Sequence, residues 1–402
     1  MDWLAFYRTA KRLSLRSLFH KKRTFALITI LLAFSLLNLV FFASFAEGVA
    51  QTTDANLTKY LFADIVVEPA EKEEFIYNAG DLEKRIRLIP GVTGVSKRRA
   101  TGATIRFQGR TLRTAVTSIT PSNEKMVTDL EGITKLGEFL EDGDRGEILL
   151  GDEIVGNLDG GNSVFANAPL KAGVGDTVEV EFSNGVKKEF RVKGILDAHF
   201  WLTDALALIP VADMEEITGE SDVATSLLIK KAPGVRAEDL KLKLLQSGVR
   251  EEVKISLTDL SIGDTMKEAI TIMTYLGFLV GSASAFIVVF IIIFINALQR
   301  KREIGILKAL GIGKGVVLAS FFFQAIVYAI AGVLLGVLLI EVVLSIIALR
   351  PMALPIGYLV PVLTSETRNN AILVVFGAAL FATYVASRNV IHASILDAIW
   401  SR

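Results

Sequence analysis

The chain of 402 residues contains no cysteine, which excludes a disulfide framework, a thiolate metal site and a cysteine nucleophile. Histidine is nearly absent as well. Only His20, His199 and His392 occur, too few for a histidine-based metal cluster. His199 alone falls in the long polar stretch where a hydrolase triad would have to assemble. A net charge is also missing. The 43 Lys plus Arg balance 43 Asp plus Glu, which rules out a uniformly basic nucleic-acid binder and an acidic tail protein. There is no phosphate-binding loop either. After Gly313-Lys314 comes Gly315 rather than Ser or Thr, and Lys308 stands where the first glycine of GxxxxGK belongs. If ATP drives this protein, a separate subunit must supply the nucleotide site.

What the chain does have is apolar length. It is 51% hydrophobic with a mean hydropathy of +0.48. Residues 25–46 are 22 in a row without a charge, and about 20 helical residues cross the roughly 30 Å hydrocarbon core. That run is too long for the apolar part of a cleaved signal peptide. Further runs at 270–298, 316–349 and 371–386 predict four transmembrane helices, with 299–315 and 350–370 as the connecting loops. The third run, 34 residues long, would measure about 51 Å as one helix and so extends beyond the bilayer. Glu341 then falls at the outer surface rather than mid-membrane. The fourth run has 16 residues and borrows flanking residues such as Asn369 and Asn370.

Basic residues orient the spans. Residues 1–24 hold seven Lys or Arg, 299–315 hold five and the tail 387–402 holds two, while the opposite loop holds only Arg350 and Arg368. Both termini are expected in the cytoplasm, and residues 47–269 outside it. The outer insertion carries 27 basic and 38 acidic groups, against 14 and 3 in the cytoplasmic pieces. This segregation favours membrane lipids with anionic headgroups, or an acidic partner surface, on the inner side. Residues 1–24 place Trp3, Phe6, Tyr7, Ala10, Leu13 and Leu18 at helical spacing, as in a cytoplasmic amphipathic helix lying on the membrane; a plain basic topology anchor is the simpler alternative.

Residues 47–269 have ordinary soluble patterning, and α+β is the expected class, in two subdomains. Val178, Val180 and Phe182 alternate before Asn184-Gly185, and Phe190 and Val192 resume the pattern, which reads as a hairpin. Residues 101–119 read as two strands joined at Gln108-Gly109, residues 81–92 as a helix ending at Pro90-Gly91, and SLLIKK, AEDLKLKLLQ and VKISL as strand, helix, strand. No catalytic constellation emerges. His199 reads as a packing or ligand-contact residue rather than a general base, and pairs such as Glu73-Glu74 as solvated surface.

Small residues mark helix contacts. Gly277, Gly281 and Ala285 in the second span, and Gly332 and Gly336 in the third, recur every four residues and permit close helix approach, as at a dimer interface. Asn38, about 20 Å into the first span, gains from a partner amide across a helix interface, or equally from a bond within the chain.

The loop QRKREIGILKALGIGKGVV would form a short helix from Arg302 to Leu310 with Ile306, Leu307 and Leu310 on one side. Gly305 costs such a helix about 1 kcal/mol relative to alanine, which suggests that another backbone comes close. KREIGILKALG, followed by SFFFQAIVYAIAGVLLGVLL, resembles the FtsX-like permease family of ABC transporters, of the MacB and LolC/LolE types. IPGVTGVSKR, GEILLGDEIVG, VGDTVEVEF, ALIPVADMEEITG and the DAIW ending extend the resemblance over nearly the whole chain. It implies four spans, a large MacB-like extracytoplasmic α+β domain between the first two, and a prokaryotic inner or plasma membrane. It implies that Arg302, Glu303, Ile304, Gly305, Ile306, Leu307, Ala309, Leu310 and Gly311 couple to an ABC ATPase subunit. ATP and magnesium would sit on that partner, with no cofactor, metal or catalytic residue on this chain. A second permease copy or paralogue, and an extracytoplasmic adaptor or substrate protein, complete the implied assembly. One departure is Ile395 before Leu396-Asp397, where the family pattern usually includes a proline. The implied function is export or extraction of a lipid-linked, peptide or drug-like substrate; the alternative is mechanotransmission that activates an outer partner such as a cell-wall hydrolase. A membrane-anchored enzyme is the third class, disfavoured by the missing catalytic groups.

Overall fold

A computed structural model of the chain describes residues 22–156, 169–256, 259, 261–299 and 313–391. Two compact units result: residues Ala50–Glu268 together with Met352–Leu359, and the remaining membrane segments. Among the described residues three helices are long and apolar enough to cross a membrane, within Lys22–Phe62, Gly315–Leu349 and Ser365–Ser387. The remaining expected span, the second at 270–298, falls inside the helix Ser261–Gln299, of which Thr271–Ser284 is a shorter apolar stretch. The expected amphipathic segment 1–24 lies outside the described residues up to residue 21.

Helix ends differ from the hydropathy limits. The first long helix, Lys22–Asn56, runs ten residues past Ala46 and passes into π-helical turns over Leu57–Phe62. The second begins at Ser261 and the fourth, Ser365–Ile391, begins six residues before Ala371. Polar composition ends a hydrophobic run without ending a helix, because the backbone ladder continues until a breaker or a competing partner intervenes. The third, Lys314–Leu349, follows the long apolar run closely.

One core holds the membrane unit together. Ile28, Leu32, Leu36 and Leu39 of the first helix, Phe321, Ala325 and Ala329 of the third, and Ala371, Val375, Ala379, Ala382 and Ala386 of the fourth are all buried in it. The alanine ridge recurs at three- and four-residue intervals, so one face of the fourth helix can lie close to its neighbours. Three buried hydroxyls on these helices are satisfied locally: Ser35 Oγ donates to Leu31 O (3.0 Å), Thr383 Oγ1 to Ala379 O (2.7 Å) and Ser387 Oγ to Thr383 O (2.6 Å). Such back-bonding lets a hydroxyl sit in hydrocarbon without a partner helix.

The outer unit is built on one ten-stranded sheet. Strands β1 (Ile65–Glu68), β2 (Ile76–Tyr77), β3 (Val92–Phe107), β4 (Arg110–Ile119), β5 (Thr134–Gly137), β6 (Glu147–Gly151), β7 (Thr177–Phe182), β8 (Lys187–Leu196), β9 (Ala207–Pro210), β10 (Val223–Ala224), β11 (Ser226–Lys231) and β12 (Glu252–Ile255) follow in order. The long strand β3 serves two halves. Its first part pairs with β11, which continues to β1 and β12. Its second part pairs with both β4 and β7, and the pairings β4–β9, β9–β6, β6–β8 and β8–β7 close a six-stranded ring. Ring closure removes free edges and places alternating residues inside. Ile105, Val116, Ile148, Val180, Phe190 and Ile209 fill that interior. The open half buries Ile65, Val67, Leu227 and Ile229 under Leu82 and Ile86 of the helix Ala79–Arg87 and Leu240 and Leu244 of the helix Ala237–Gln246.

Beside the π-helical turns, β3 contributes a buried arginine. Arg98 (7% exposed) faces Glu124 (0%), with Nη2 to Oε1 at 2.5 Å. Its Nη1 donates to Leu61 O (2.7 Å), which accounts for a carbonyl at the end of the π-helical turns. Ser96 and Thr128 donate to the same carboxylate at 2.7 and 2.6 Å. Burial pushes the Glu124 carboxyl up, but the Arg98 charge and the bonds from Arg98, Thr128 and Ser96 outweigh it and hold the group below the ordinary carboxylate value. Its stabilising contribution is therefore present above the unfolded value of about 4.3 and lost as pH falls below it. Replacing Glu124 by Ala strands a buried guanidinium and should cost about 3–5 kcal/mol, read as a lower denaturation midpoint of the outer domain. The double variant Arg98→Met, Glu124→Leu should lose less than Glu124→Ala alone.

Candidate helix contacts and outer junction

The segment named from the sequence as the ATPase contact, Arg302 to Gly311, lies outside the described residues. Its place in the chain is fixed by its neighbours: residues 300–312 join the second long helix, which ends at Gln299, to the third, which begins at Lys314.

The glycines on those two helices are used at close quarters. A methyl group at Gly277 would lie 2.9 Å from Phe42 Cβ, and one at Gly281 would lie 2.9 Å from Leu39 Cβ. On the third helix, Gly332 meets Leu32 Cβ at 2.6 Å and Gly336 meets Leu36 Cδ2 at 2.9 Å by the same construction. Both small-residue faces are thus taken up by the chain's own first helix. The four-residue spacing announces a face that admits a close neighbour, and here that neighbour is intramolecular. The side chain of Ala285 lies outside the described residues. Asn38 is exposed, one turn before Phe42 on the same face of the first helix, with no hydrogen bond among the described residues. Gly48, further along, packs on backbone: a methyl there would lie 2.6 Å from Val360 O, and Val362 N donates to Ser44 O at 2.9 Å.

The outer unit contains a junction with no clear sequence signature. Residues between the third and fourth long helices form a hairpin, β13 (Met352–Leu354) and β14 (Gly357–Leu359), which joins the outer unit. Trp201 N donates to Pro355 O (2.8 Å), Asn56 Nδ2 donates to Ile356 O (2.8 Å), and Phe200 bridges Ile356 in antiparallel fashion. Gly357 has φ +116° and no room for a side chain beside Asn56. His199 stacks on Tyr358 with ring centroids 4.9 Å apart. Its Nδ1 lies 2.6 Å from Asp197 Oδ1, which also accepts from His199 N, and Lys135 Nζ donates to Asp197 Oδ2 at 2.7 Å. Burial raises the Asp197 carboxyl, and the bonds from Lys135 and His199 more than reverse it. His199 is therefore a packing residue of this junction.

His199 adopts φ +54°, an uncommon region for a residue with a side chain. Asp204 holds the turn: Oδ1 accepts from Ala198 N (2.8 Å) and Oδ2 from Phe200 N (2.9 Å). Burial dominates its titration, with help from the nearby Asp197 and Asp152 charges, and pushes the carboxyl up to about 7. Among the described residues no group of three or more potential ligands could hold a metal ion.

Two outcomes follow from this geometry. Gly332→Val must displace Leu32 and should destabilise the membrane unit by at least about 1–3 kcal/mol. Gly377→Ala meets nothing within 4 Å and should be neutral or stabilising by up to ~1 kcal/mol; thermal inactivation in detergent measures both. The folded form holds a proton on Asp204 between the unfolded value of about 4 and its own of about 7. Its contribution is therefore complete below the former and lost as pH rises through the latter, by on the order of 4 kcal/mol. Stability at pH 5 should exceed that at pH 8 by about 2.5 kcal/mol, because pH 5 already lies above the unfolded value, and Asp204→Asn should flatten that difference in denaturant midpoints.

Comparison with known proteins agrees with the membrane architecture. Residues 275–395 match the family described as FtsX-like permease C-terminal. An uncharacterized ABC transporter permease of Methanocaldococcus jannaschii is 26% identical over 343 residues, which cover 80% of this chain and 82% of the relative. Among solved structures, the extracellular domain of the noncanonic ABC-type transporter YknZ from Gram-positive bacteria aligns over 48% of this chain and 98% of its own, at 12% identity and a TM-score of 0.35. The periplasmic region of MacB from Actinobacillus actinomycetemcomitans aligns over 52% and 91%, at 15% identity and a TM-score of 0.34. Residues 275–395 thus resemble the C-terminal domain of FtsX-like permeases, and the chain as a whole is similar to an ABC transporter permease with long apolar helices.

Proposed function

We propose that this permease is driven by a separate ABC ATPase subunit that docks on the segment Arg302–Gly311, with Glu303, Ile304, Gly305, Ile306, Leu307, Ala309 and Leu310 forming the contact. The observation that carries the reading is the position of this segment: it lies inside the matched domain, between helices of 39 and 36 residues. A short docking helix placed there can pull on two long levers at once. The GxxxxGK loop is absent from this chain, so ATP and magnesium would be bound by the partner. In this scheme both termini are cytoplasmic, four helices span the membrane, and work done on the cytoplasmic side is delivered to the outer domain.

The substrate need not pass through the bilayer. The apolar runs carry no charge except Glu341, which is exposed, so they offer no ionic path. Export or extraction of a lipid-linked, peptide or drug-like molecule at the outer domain is the favoured outcome. Two copies of the permease, or this chain and a paralogue, would complete the assembly.

Glu303→Ala and Gly305→Leu are expected to reduce permease-dependent stimulation of the partner's ATP hydrolysis at least tenfold. Circular dichroism and protease resistance of the outer domain should be unchanged. Undiminished stimulation in both variants would contradict the docking assignment.

A further inference from the structure

Independently of how the permease is driven, we infer that the hairpin β13–β14 is a releasable clasp: a strap of this chain that grips the turn Asp197–Asp204 of the outer unit and lets go of it while the rest of that unit stays folded. Its strands pair over three residues each, Met352 with Leu359, Ala353 with Tyr358 and Leu354 with Gly357. A lone two-stranded ribbon of that size does not hold its shape in water. The hairpin therefore owes its fold to the surface on which it lies.

Its contacts with that surface are few and lie close together. Trp201 N donates to Pro355 O (2.8 Å), Asn56 Nδ2 donates to Ile356 O (2.8 Å), and Tyr358, still 59% exposed, stacks on His199. Ile356 packs on the apolar cluster of Leu57, Leu61 and Phe200. Gly357 sets the fit. At φ +116° it brings the hairpin backbone against Asn56 and Thr52, where a Cβ would collide.

The turn that receives the hairpin is built without it. Asp204 accepts from Ala198 N and Phe200 N, and Asp197 accepts from His199 N and from Lys135 Nζ. None of these bonds involves the hairpin, yet together they fix the left-handed His199, at φ +54°. The seat thus persists when the strap leaves. A marginal ribbon on a preformed seat opens locally at far lower cost than the domain unfolds. The strap lies between Leu349, where the third long helix ends, and Ser365, where the fourth begins, and Asn56 is the last residue of the first. In the closed state, chain arriving from these three helices meets at one seat on the outer unit. Opening frees the third and fourth from it.

Hydrogen exchange of the full-length protein in lipid nanodiscs separates strap from seat, because Trp201 N is bonded to the hairpin whereas Ala198 N and Phe200 N are bonded to Asp204. The chain has three tryptophans, so selective 15N labelling reads Trp201 directly, and fragmentation mass spectrometry reads the other two amides and strand β7. The Trp201 amide is expected to be protected about 10- to 1,000-fold, the equivalent of ~1.4–4 kcal/mol, and the amides of Ala198, Phe200 and β7 at least about tenfold more. Gly357→Val should abolish protection at Trp201 and leave Ala198 and Phe200 protected. Asn56→Ala, which keeps the glycine fit, should lower protection at Trp201 about 3- to 10-fold. Exchange at Trp201 as slow as in β7 would make the hairpin a fixed part of the domain and overturn the proposal. So would an unprotected Trp201 in the unaltered chain, a Trp201 still protected in Gly357→Val, or loss of protection at Ala198 and Phe200 together with Trp201 in that variant.

Discussion

The membrane unit depends on how closely its first helix can be approached. Hydrocarbon supplies no hydrophobic force between helices, so they associate through packing and a few polar contacts. Gly281 on the second helix and Gly332 and Gly336 on the third let their backbones meet Leu39, Leu32 and Leu36 with no intervening side chain. The first helix is therefore a shared surface, and the buried cluster it forms with the third and fourth helices grows from it. The same constraint decides which of its residues are left facing outward.

In the outer unit, a different force applies. Its two largest cores are ordinary aqueous ones, each large enough to bury a full set of aliphatic side chains, and strand β3 belongs to both. Two sets of polar groups that enter are satisfied internally. Arg98 and Glu124 neutralise each other while Arg98 accounts for the Leu61 carbonyl. Asp204 and Asp197 tie down the turn at His199, against which the hairpin β13–β14 is stitched. Buried charge of this kind contributes little net stability beside a well-packed apolar alternative, but removing one member leaves the other exposed to the full desolvation cost.

Much of this is legible in the sequence because it is local. The Gln108-Gly109 turn takes positive φ at both residues, +46° and +77°, and joins the two strands read there. At Asn184-Gly185 only the glycine does so (+84°), while Asn184 Oδ1 accepts from Val186 N, so the hairpin forms with a different turn. Charge-free runs locate the long helices, although residues 47–56, polar and easily assigned to the outer domain, continue the first one. What cannot be read is set by partners distant in sequence. Closure of the ring needs β7 to find β3 some seventy residues earlier. The hairpin β13–β14 has three-residue strands around Pro355, too short to carry an alternating pattern, and it is stitched by Asn56 and Trp201. Glycine spacing likewise reports that a neighbour comes close without saying which helix it is.

In the proposed scheme, force on the membrane helices comes from a separate ATP-hydrolysing subunit. Isolation of the full-length protein from its native membranes, with chemical cross-linking and mass spectrometry of whatever accompanies it, tests that claim most directly. An ATP-hydrolysing subunit cross-linked within residues 302–311 is the predicted result. Recovery of the functional protein without any nucleotide-binding partner, or with one attached only elsewhere, would contradict it.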